Sequence, residues 1–327
     1  MARVAPHLLF GEMLLLLLLK CFLLLLPPPR MDGLNEYSMI WASNSSTSLW
    51  QRRLSCRMGF DVTAGAPGLR FIPTTWSEYT VAVWTLWNLL DKNILNWSSR
   101  TPRSPFGYMR PVQLEEYAKA VWERSDVSLY CEVGMNGGHG TAAMLLANPK
   151  LHAITFDYGA WQYSNSTVDL LRLYFGSRFQ FVRGSSQYTI PQFIQLSKGR
   201  VQCDVILVDG GHTASIAFND LRNFRELAAC NATVFMDDLN EGPGPAFRGA
   251  ERAGWVSIGE WHMYNVSDRL KNPCIRTRTG GVKCMDSWGW GSAMYSGADA
   301  CNRTAEQQMQ PKGRLSTGAI SQIVQSI

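Results

Sequence analysis

The chain has 327 residues, enough for one large domain or two small ones around a substantial core. With 46% hydrophobic and 17% charged residues it is a globular chain, which excludes intrinsic disorder as its overall state. A net charge of +5, from 31 basic and 26 acidic residues without a basic run, leaves no nucleic-acid footprint.

The N-terminus reads as a targeting segment rather than as part of a fold. Leu8 to Leu26 is a leucine-rich stretch of 19 residues between Arg3 and Arg30, interrupted by Glu12 and Lys20 and followed by Pro27-Pro28-Pro29. That is close to the ~20 residues that span a bilayer. A cleaved signal peptide competes with a signal anchor. No small-x-small cleavage site follows Leu26 closely, which favours an uncleaved anchor over residues 1–30 and a single-pass type II membrane protein of the ER or Golgi. Either reading puts the remainder in the secretory lumen or outside. Six N-x-[ST] sequons, at Asn44, Asn96, Asn165, Asn231, Asn265 and Asn302, fit that placement. Asn231 precedes a predicted buried strand and is expected to be unused. Of eight cysteines one, Cys21, lies in the leader. Cys131 and Cys203 fall in predicted core strands and read as buried thiols. Cys274 and Cys284 flank the turn signal Thr279-Gly280-Gly281 and are a candidate hairpin disulfide in an oxidising compartment.

Residues 31–111 read as a stem and a helical lead-in. Met31 to about Pro73 has few periodic apolar runs. Thr75-Trp76-Ser77-Glu78 is a capping-box signature, and the apolar segment behind it predicts a helix to about Trp97. Ser99 to Pro111 is a linker with three prolines. Val112 to Arg124 is an amphipathic helix with Leu114, Tyr117, Ala118, Val121 and Trp122 on one face. The stretch Ser128 to Leu146 then runs from an apolar strand, Leu129 to Val133, through Gly134, Gly137, Gly138 and Gly140 into a small-residue helix pattern, Thr141 to Ala147. His152 to Asp157 is a strand ending in an acid. Helix Ser166 to Phe175, strand Phe179 to Val182, the turn Gly184-Ser185-Ser186 and a helix around Ile190 to Leu196 follow. Strand Cys203 to Val208 ends in Asp209-Gly210-Gly211-His212. Helix Ser215 to Ala228, strand Ala232 to Met236 ending in Asp237-Asp238, the loop Glu241 to Pro245 and a helix Phe247 to Ala253 come next. Trp255 to Tyr264 and Val282 to Tyr295 are the last strands, and residues 301–327 read as a flexible polar tail.

Strands alternating with helices predict an α/β fold: a Rossmann-like, doubly wound, mostly parallel sheet of seven strands with a C-terminal antiparallel hairpin and helices on both faces. Ligands bind outside the carboxyl ends of such strands, where this chain places Glu132, Asp157, Asp209 and Asp237. The glycine turn lets a ligand approach the backbone, and the following helix start offers unpaired N–H groups. A dinucleotide fingerprint does not fit in register: starting from Gly134, Asn136 and His139 fill the second and third glycine positions.

The pattern that does fit, Glu132-x-Gly134-x-x-x-Gly138-x-Gly140, resembles motif I of the class I S-adenosylmethionine (SAM) methyltransferases. With Asp209-Gly210-Gly211-His212, the chain looks closest to the O-methyltransferase-like group that carries a D-G-x-H motif. The resemblance makes 112–300 a SAM-binding domain. It implies that Glu132, Gly134, Asn136, Gly138, Gly140 and Thr141 line the methionine part of SAM, with Asp209 beside them. It also implies that Asp157 takes the ribose hydroxyls and that Ser185 stands where the family often has an acid near the adenine. Asp209, Asp237 and Asp238 match the positions that hold a divalent cation in relatives similar to catechol O-methyltransferase, with Mg²⁺ the expected ion. Asp238 replaces a carboxamide there. Asp209 and His212 would be the catalytic pair, His212 removing the proton of the acceptor hydroxyl. The acceptor implied is a glycan or a small metabolite, and the resemblance implies no nucleic-acid partner.

Two other functions stay open on the sequence. A membrane-anchored glycosyltransferase would explain the anchor and the Asp237-Asp238 pair, although these acids are adjacent rather than spaced as D-x-D. A non-catalytic binding module keeping the fold would explain Ser185 and a compartment into which SAM must be imported. Trp161, Trp288 and Trp290 could stack on an acceptor ring, although core packing is the expectation for most of them.

Overall fold

The computed structural model describes residues 72–98, 109, 111–122, 124–265, 275–276, 282–283, 287–296 and 316–327. The chain divides into two compact units, Met1–Phe71 and Ile72–Ile327, and every described residue lies in the second. The expected anchor and stem therefore lie outside the described residues, among which no helix is long and apolar enough to cross a membrane.

In chain order the elements are α1 (Trp76–Ser98), α2 (Pro111–Lys119), β1 (Leu129–Val133), α3 (His139–Ala147), β2 (His152–Asp157), α4 (Ser164–Phe175), β3 (Phe179–Arg183), α5 (Ser186–Ser197) and β4 (Cys203–Val208). They continue with α6 (Ala214–Leu227), β5 (Ala228–Met236), α7 (Pro243–Arg252), β6 (Val256–Asn265), β7 (Ile275–Arg276), β8 (Val282–Lys283), β9 (Ser287–Tyr295) and α8 (Thr317–Ser326). The main sheet has seven strands in the order β3-β2-β1-β4-β5-β9-β6. Strands β3 to β5 run parallel, and β9 enters antiparallel between β5 and β6, as the sequence predicts. After β1 the chain builds outward through β2 and β3, then returns to lay β4 on the other side of β1. The order reverses between β1 and β4, and the crevice at such a switch point is where open α/β sheets bind ligands.

Alternation along the strands decides what each sheet face buries. Leu129, Cys131 and Val133 of β1 pack with Ile206 and Val208 of β4 into one core, covered by Ile190 and Phe193 of α5, Leu221 and Phe224 of α6 and Phe247 of α7. The lead-in helix α1 lies against α3: the Tyr79 hydroxyl donates to the Ala143 carbonyl at 3.3 Å and Trp87 Nε1 to the His139 carbonyl at 3.0 Å. Its start is capped as predicted. The Glu78 amide donates to Thr75 Oγ1 at 3.2 Å, while Glu78 Oε2 accepts from the Thr74 amide at 2.9 Å, one residue earlier than in the usual box.

Several expectations need correction. Cys131 and Cys203 are buried but are not thiols: they form a disulfide, with Cα atoms 5.8 Å apart. Their strands are sheet neighbours, which a pattern of single strands does not reveal. Cys230 is disulfide-bonded as well. The Cys274 and Cys284 pair lies outside the described residues, although β7 and β8 between them pair as an antiparallel hairpin. The predicted flexible tail carries α8, capped by Ser316 Oγ accepting from the Ala319 amide at 3.3 Å, with Ile320 buried in the core. Ile320, Ile323, Val324 and Ile327 are spaced for one helix face. Trp290 is fully buried, in keeping with the expected core packing, and its ring stacks on His262 at 4.4 Å. Asn231 is exposed within β5, in a left-handed conformation with φ of 59°, rather than sheltered by the strand. The helix predicted from Phe247 begins at Pro243, because proline suits the first helical turn.

Candidate active site

Two groups of residues meet at the carboxyl ends of the parallel strands. The first is built by one turn. Gly134 leaves β1 with φ of +91°, and a Cβ there would stand 1.7 Å from the Asp209 carbonyl oxygen, so the β1 and β4 loops close on one another only with glycine. Their backbones are tied by the Asp209 amide donating to the Val133 carbonyl at 2.9 Å. Gly138, at φ +81°, starts α3. Gly140 leaves room for Glu132, since a Cβ there would lie 2.6 Å from Glu132 Oε1. Glu132 is buried, and the Thr141 hydroxyl donates to its Oε2. Burial pushes the Glu132 pKa up to about 8, against the hydrogen bond from Thr141 that lowers it.

Asp157 closes the same turn from β2. Its Oδ2 accepts from the Asn136 amide at 2.8 Å and its Oδ1 from the Gly159 amide at 2.6 Å. Each oxygen keeps a further lone pair, as a carboxylate meeting two vicinal hydroxyls requires. The Tyr163 hydroxyl donates to Asn136 Oδ1 and holds that loop from α4. Ser185 directly precedes α5 in an extended conformation, half-buried, with no side-chain capping bond.

The second group is assembled from several loops. Asp209, half-buried at the end of β4, has a carboxyl held well above the usual carboxylate range by burial first, then by the charges of Asp237, Asp238 and Glu132. Asp238 has φ of 54°. Its Oδ2 lies 3.1 Å from His212 Nε2, and His212 Nδ1 lies 3.1 Å from Glu241 Oε2. One ligand atom from each of Asp209, His212 and Asp238 falls within 4.8 Å of the others. Asp237 stands outside that trio. Its Oδ2 accepts from Gln113 Nε2 at 2.8 Å and its Oδ1 from the Asp238 amide at 2.8 Å.

All of the strand-end residues expected from the sequence therefore stand at one edge of the sheet, in two sets rather than one. The sequence reading missed Gln113, Glu241, Tyr117 and Tyr163. Gln113 is separated by 124 positions from the Asp237 it serves, and no local pattern joins them. Glu241 follows the acid pair by three residues in a Gly/Pro loop, a weak signal that was open to reading. Asp91 and Asn93 of α1 were also missed: Asp91 Oδ1 lies 3.1 Å from the buried His139 Nε2, and Asn93 Nδ2 donates to Thr167 Oγ1 at 3.0 Å.

A glycine turn at a switch point, a buried glutamate behind it and the Asp157 carboxylate facing it form a closed cradle at the carboxyl ends of the parallel strands. Residues 131–239 match a family model described as a methyltransferase domain, a span that runs from β1 to just past Asp238. In structure the chain is similar to an O-methyltransferase from Bacillus cereus solved with SAH, at 13% identity and a TM-score of 0.46, covering 69% of this chain and 93% of that one. It is similar to the O-methyltransferase TomG from Streptomyces achromogenes solved with SAM, at 16% identity and a TM-score of 0.46, covering 67% and 96%. It is also similar to the TDP-rhamnose 3'-O-methyltransferase CalS11 of calicheamicin biosynthesis, at 16% identity and a TM-score of 0.38, covering 61% and 94%. No curated protein matches the sequence.

Proposed function

We propose that this methyltransferase transfers the methyl group of SAM to a hydroxyl of a glycan or small metabolite in the secretory lumen, with the help of a divalent cation. The observation that carries the reading is the division of the strand ends into a closed cradle and an open group of acids. The residues of the cradle fit SAM. Glycines at 134, 138 and 140 leave backbone and N–H groups accessible, Thr141 and Glu132 sit behind them, and Asp157 has lone pairs for the ribose. Ser185 lies on the loop after β3, toward the adenine. SAM, when bound, supplies an electrophilic methyl group.

The open group fits a cation. Asp209 and Asp238 are oxygen donors of the kind hard cations take, and Asp238 Oδ2 lies 3.1 Å from His212 Nε2. A bound cation would lower the pKa of an acceptor hydroxyl. Asp237 positions Gln113 and the Asp238 backbone rather than offering both oxygens. His212 gives the site a nitrogen. In the tautomer that donates Nδ1–H to Glu241, its Nε2 presents a lone pair to the acids, and that lone pair serves a proton or a cation but not both at once.

Lumenal placement rests on the leader sequence and is supported by the Cys131–Cys203 disulfide and by exposed sequon asparagines at 96, 165 and 231. Titration of the full chain with SAM and with SAH by calorimetry tests the reading. Saturable binding of both supports it, and no heat with either sinks it. Replacement of residues 1–30 by a cleavable signal peptide should release the protein into the medium if this segment is the anchor; retention in the cell would count against the anchor.

A further inference from the structure

His212 is not placed as a free base. It stands on the loop between β4 and α6 with its side chain 54% exposed, and both ring nitrogens are engaged at 3.1 Å. A neutral imidazole carries a proton on one nitrogen and a lone pair on the other. In the neutral tautomer that donates Nδ1–H to Glu241, the Nε2 lone pair faces Asp238 Oδ2. Two acceptors at that separation repel unless a proton or a cation lies with them. Adjacent ligands of an octahedral ion with bonds near 2.1 Å are roughly 3 Å apart, which the 3.1 Å separation matches. Asp209 brings a third ligand atom within 4.8 Å of these two. Asp237, the acid expected from the sequence to complete the cation site, accepts from Gln113 and from the Asp238 amide and stands outside the trio.

An independent observation marks the same place from within the core. The Tyr117 hydroxyl is buried and makes no well-formed hydrogen bond, with Gln113 beside it. The charges acting on this phenol are those of Asp237, Asp209 and Asp238. A buried polar group without a partner beside three carboxylates indicates a site completed by something else.

Resting on the cation-assisted reading above, we propose that His212 is itself a ligand of the cation through Nε2, alongside Asp209 and Asp238, and that Glu241 is the outer carboxylate that fixes its ring. A carboxylate accepting the second N–H of a ligating histidine sets its tautomer and orientation. An imidazole nitrogen among two carboxylates also changes which ion the site takes. Mg²⁺ prefers oxygen ligands and keeps its waters, whereas first-row transition ions gain from the nitrogen. The site is therefore a transition-metal site, with Mn²⁺ the convenient probe.

The test is equilibrium dialysis of the full chain, with SAH present, against Mn²⁺ and separately against Mg²⁺. Bound metal is counted by mass spectrometry and Mn²⁺ is examined by pulsed electron paramagnetic resonance. One Mn²⁺ per chain is expected, held roughly tenfold or more tightly than Mg²⁺, with a ¹⁴N modulation that disappears in His212→Gln. Glu241→Gln should keep the modulation and weaken Mn²⁺ roughly 10- to 100-fold. SAH affinity reports whether each variant is folded, and if His212→Gln fails that check the Glu241→Gln shift decides. Mn²⁺ bound without nitrogen modulation, or unchanged affinity in both variants, overturns the proposal and returns His212 to the role of base. SAH binding without any Mn²⁺ overturns the cation, and absence of SAH binding overturns the methyltransferase reading itself.

Discussion

The two halves of the candidate site are built in opposite ways. On the cofactor side, a single strand–turn–helix unit supplies almost every group. Glu132, Thr141 and the glycines at 138 and 140 are buried, and the turn is closed by backbone contacts at 2.8–2.9 Å. On the acceptor side, Asp209, His212, Asp238 and Glu241 come from the loops after β4 and β5, and His212 is 54% exposed. The cradle folds with the core, so its chemistry and its stability are inseparable. The acid group hangs on loops, where binding and catalytic residues can change at little cost to the fold. Variants on the first side should lose protein stability and cofactor together, whereas variants on the second should lose chemistry alone.

The largest effect is expected at Gly134. An alanine there must hold φ near +91° and would place its Cβ 1.7 Å from a backbone oxygen of the neighbouring loop. Strain and overpacking together cost about 3–5 kcal/mol. Urea unfolding of Gly134→Ala should show that loss, and calorimetry should show no SAH binding. A variant within about 1 kcal/mol of wild type would mean the two loops are not locked as described.

Next comes Asp220 of α6, close to where the two halves meet. It is fully buried, and its Oδ1 accepts from Gln187 Nε2 at 2.8 Å while Oδ2 has no partner. Burial pushes its pKa up from 3.8 to about 7, against the lowering influence of the neighbouring Ser186 and Gln187 side chains. The folded state thus keeps a proton that the unfolded chain loses. Its contribution to stability is complete below about pH 4 and is lost as pH rises through about 7, a fall of about 4 kcal/mol across that window. Asp220→Asn should flatten this part of the unfolding profile between pH 4 and 8. A slope identical to wild type would assign the pH dependence to other groups.

His212→Gln is expected to act on the opposite side of the comparison. Stability should stay within about 0.5 kcal/mol of wild type because the side chain is at the surface, and SAH affinity should be retained. Methyl transfer to any accepted hydroxyl should fall about 100-fold or more, whether the ring serves as base or as ligand. Loss of SAH binding in this variant would merge the two halves into one.

The same division explains what was legible in the sequence. The cradle is local: apolar Leu129 to Val133, the strand-end acid and the glycine spacing fall within a dozen residues, so motif and geometry coincide. Strand ends at Asp157, Asp209 and Asp237 were legible because apolar runs stop at them. The contacts between elements were not. The bond from Gln113 to Asp237 joins a helix before the domain core to the end of β5. The Cys131–Cys203 disulfide requires knowing that β1 and β4 are neighbours. His212 between Asp238 and Glu241 requires two loops at once. In α8 the helical spacing was present but sat in a polar, C-terminal context that reads as a tail.

The smallest effect separates the cradle's structure from its charge. Thr141 donates to Glu132, and Thr141→Val keeps the shape and removes the donor. Below the Glu132 pKa of about 8 the carboxyl is protonated and loses one neutral hydrogen bond, at a cost of about 1 kcal/mol. Above it, Glu132 must be an anion in a buried site with one donor fewer, and hydrogen bonds to charged groups are worth about 1.5–3 kcal/mol. The penalty of the substitution should therefore grow between pH 6 and pH 9, as the Glu132 pKa rises further in the variant. Urea unfolding of both proteins at the two pH values checks this. Equal penalties would show that Glu132 keeps one protonation state across the range, and the cradle would then offer SAM a fixed charge instead of one that changes with pH.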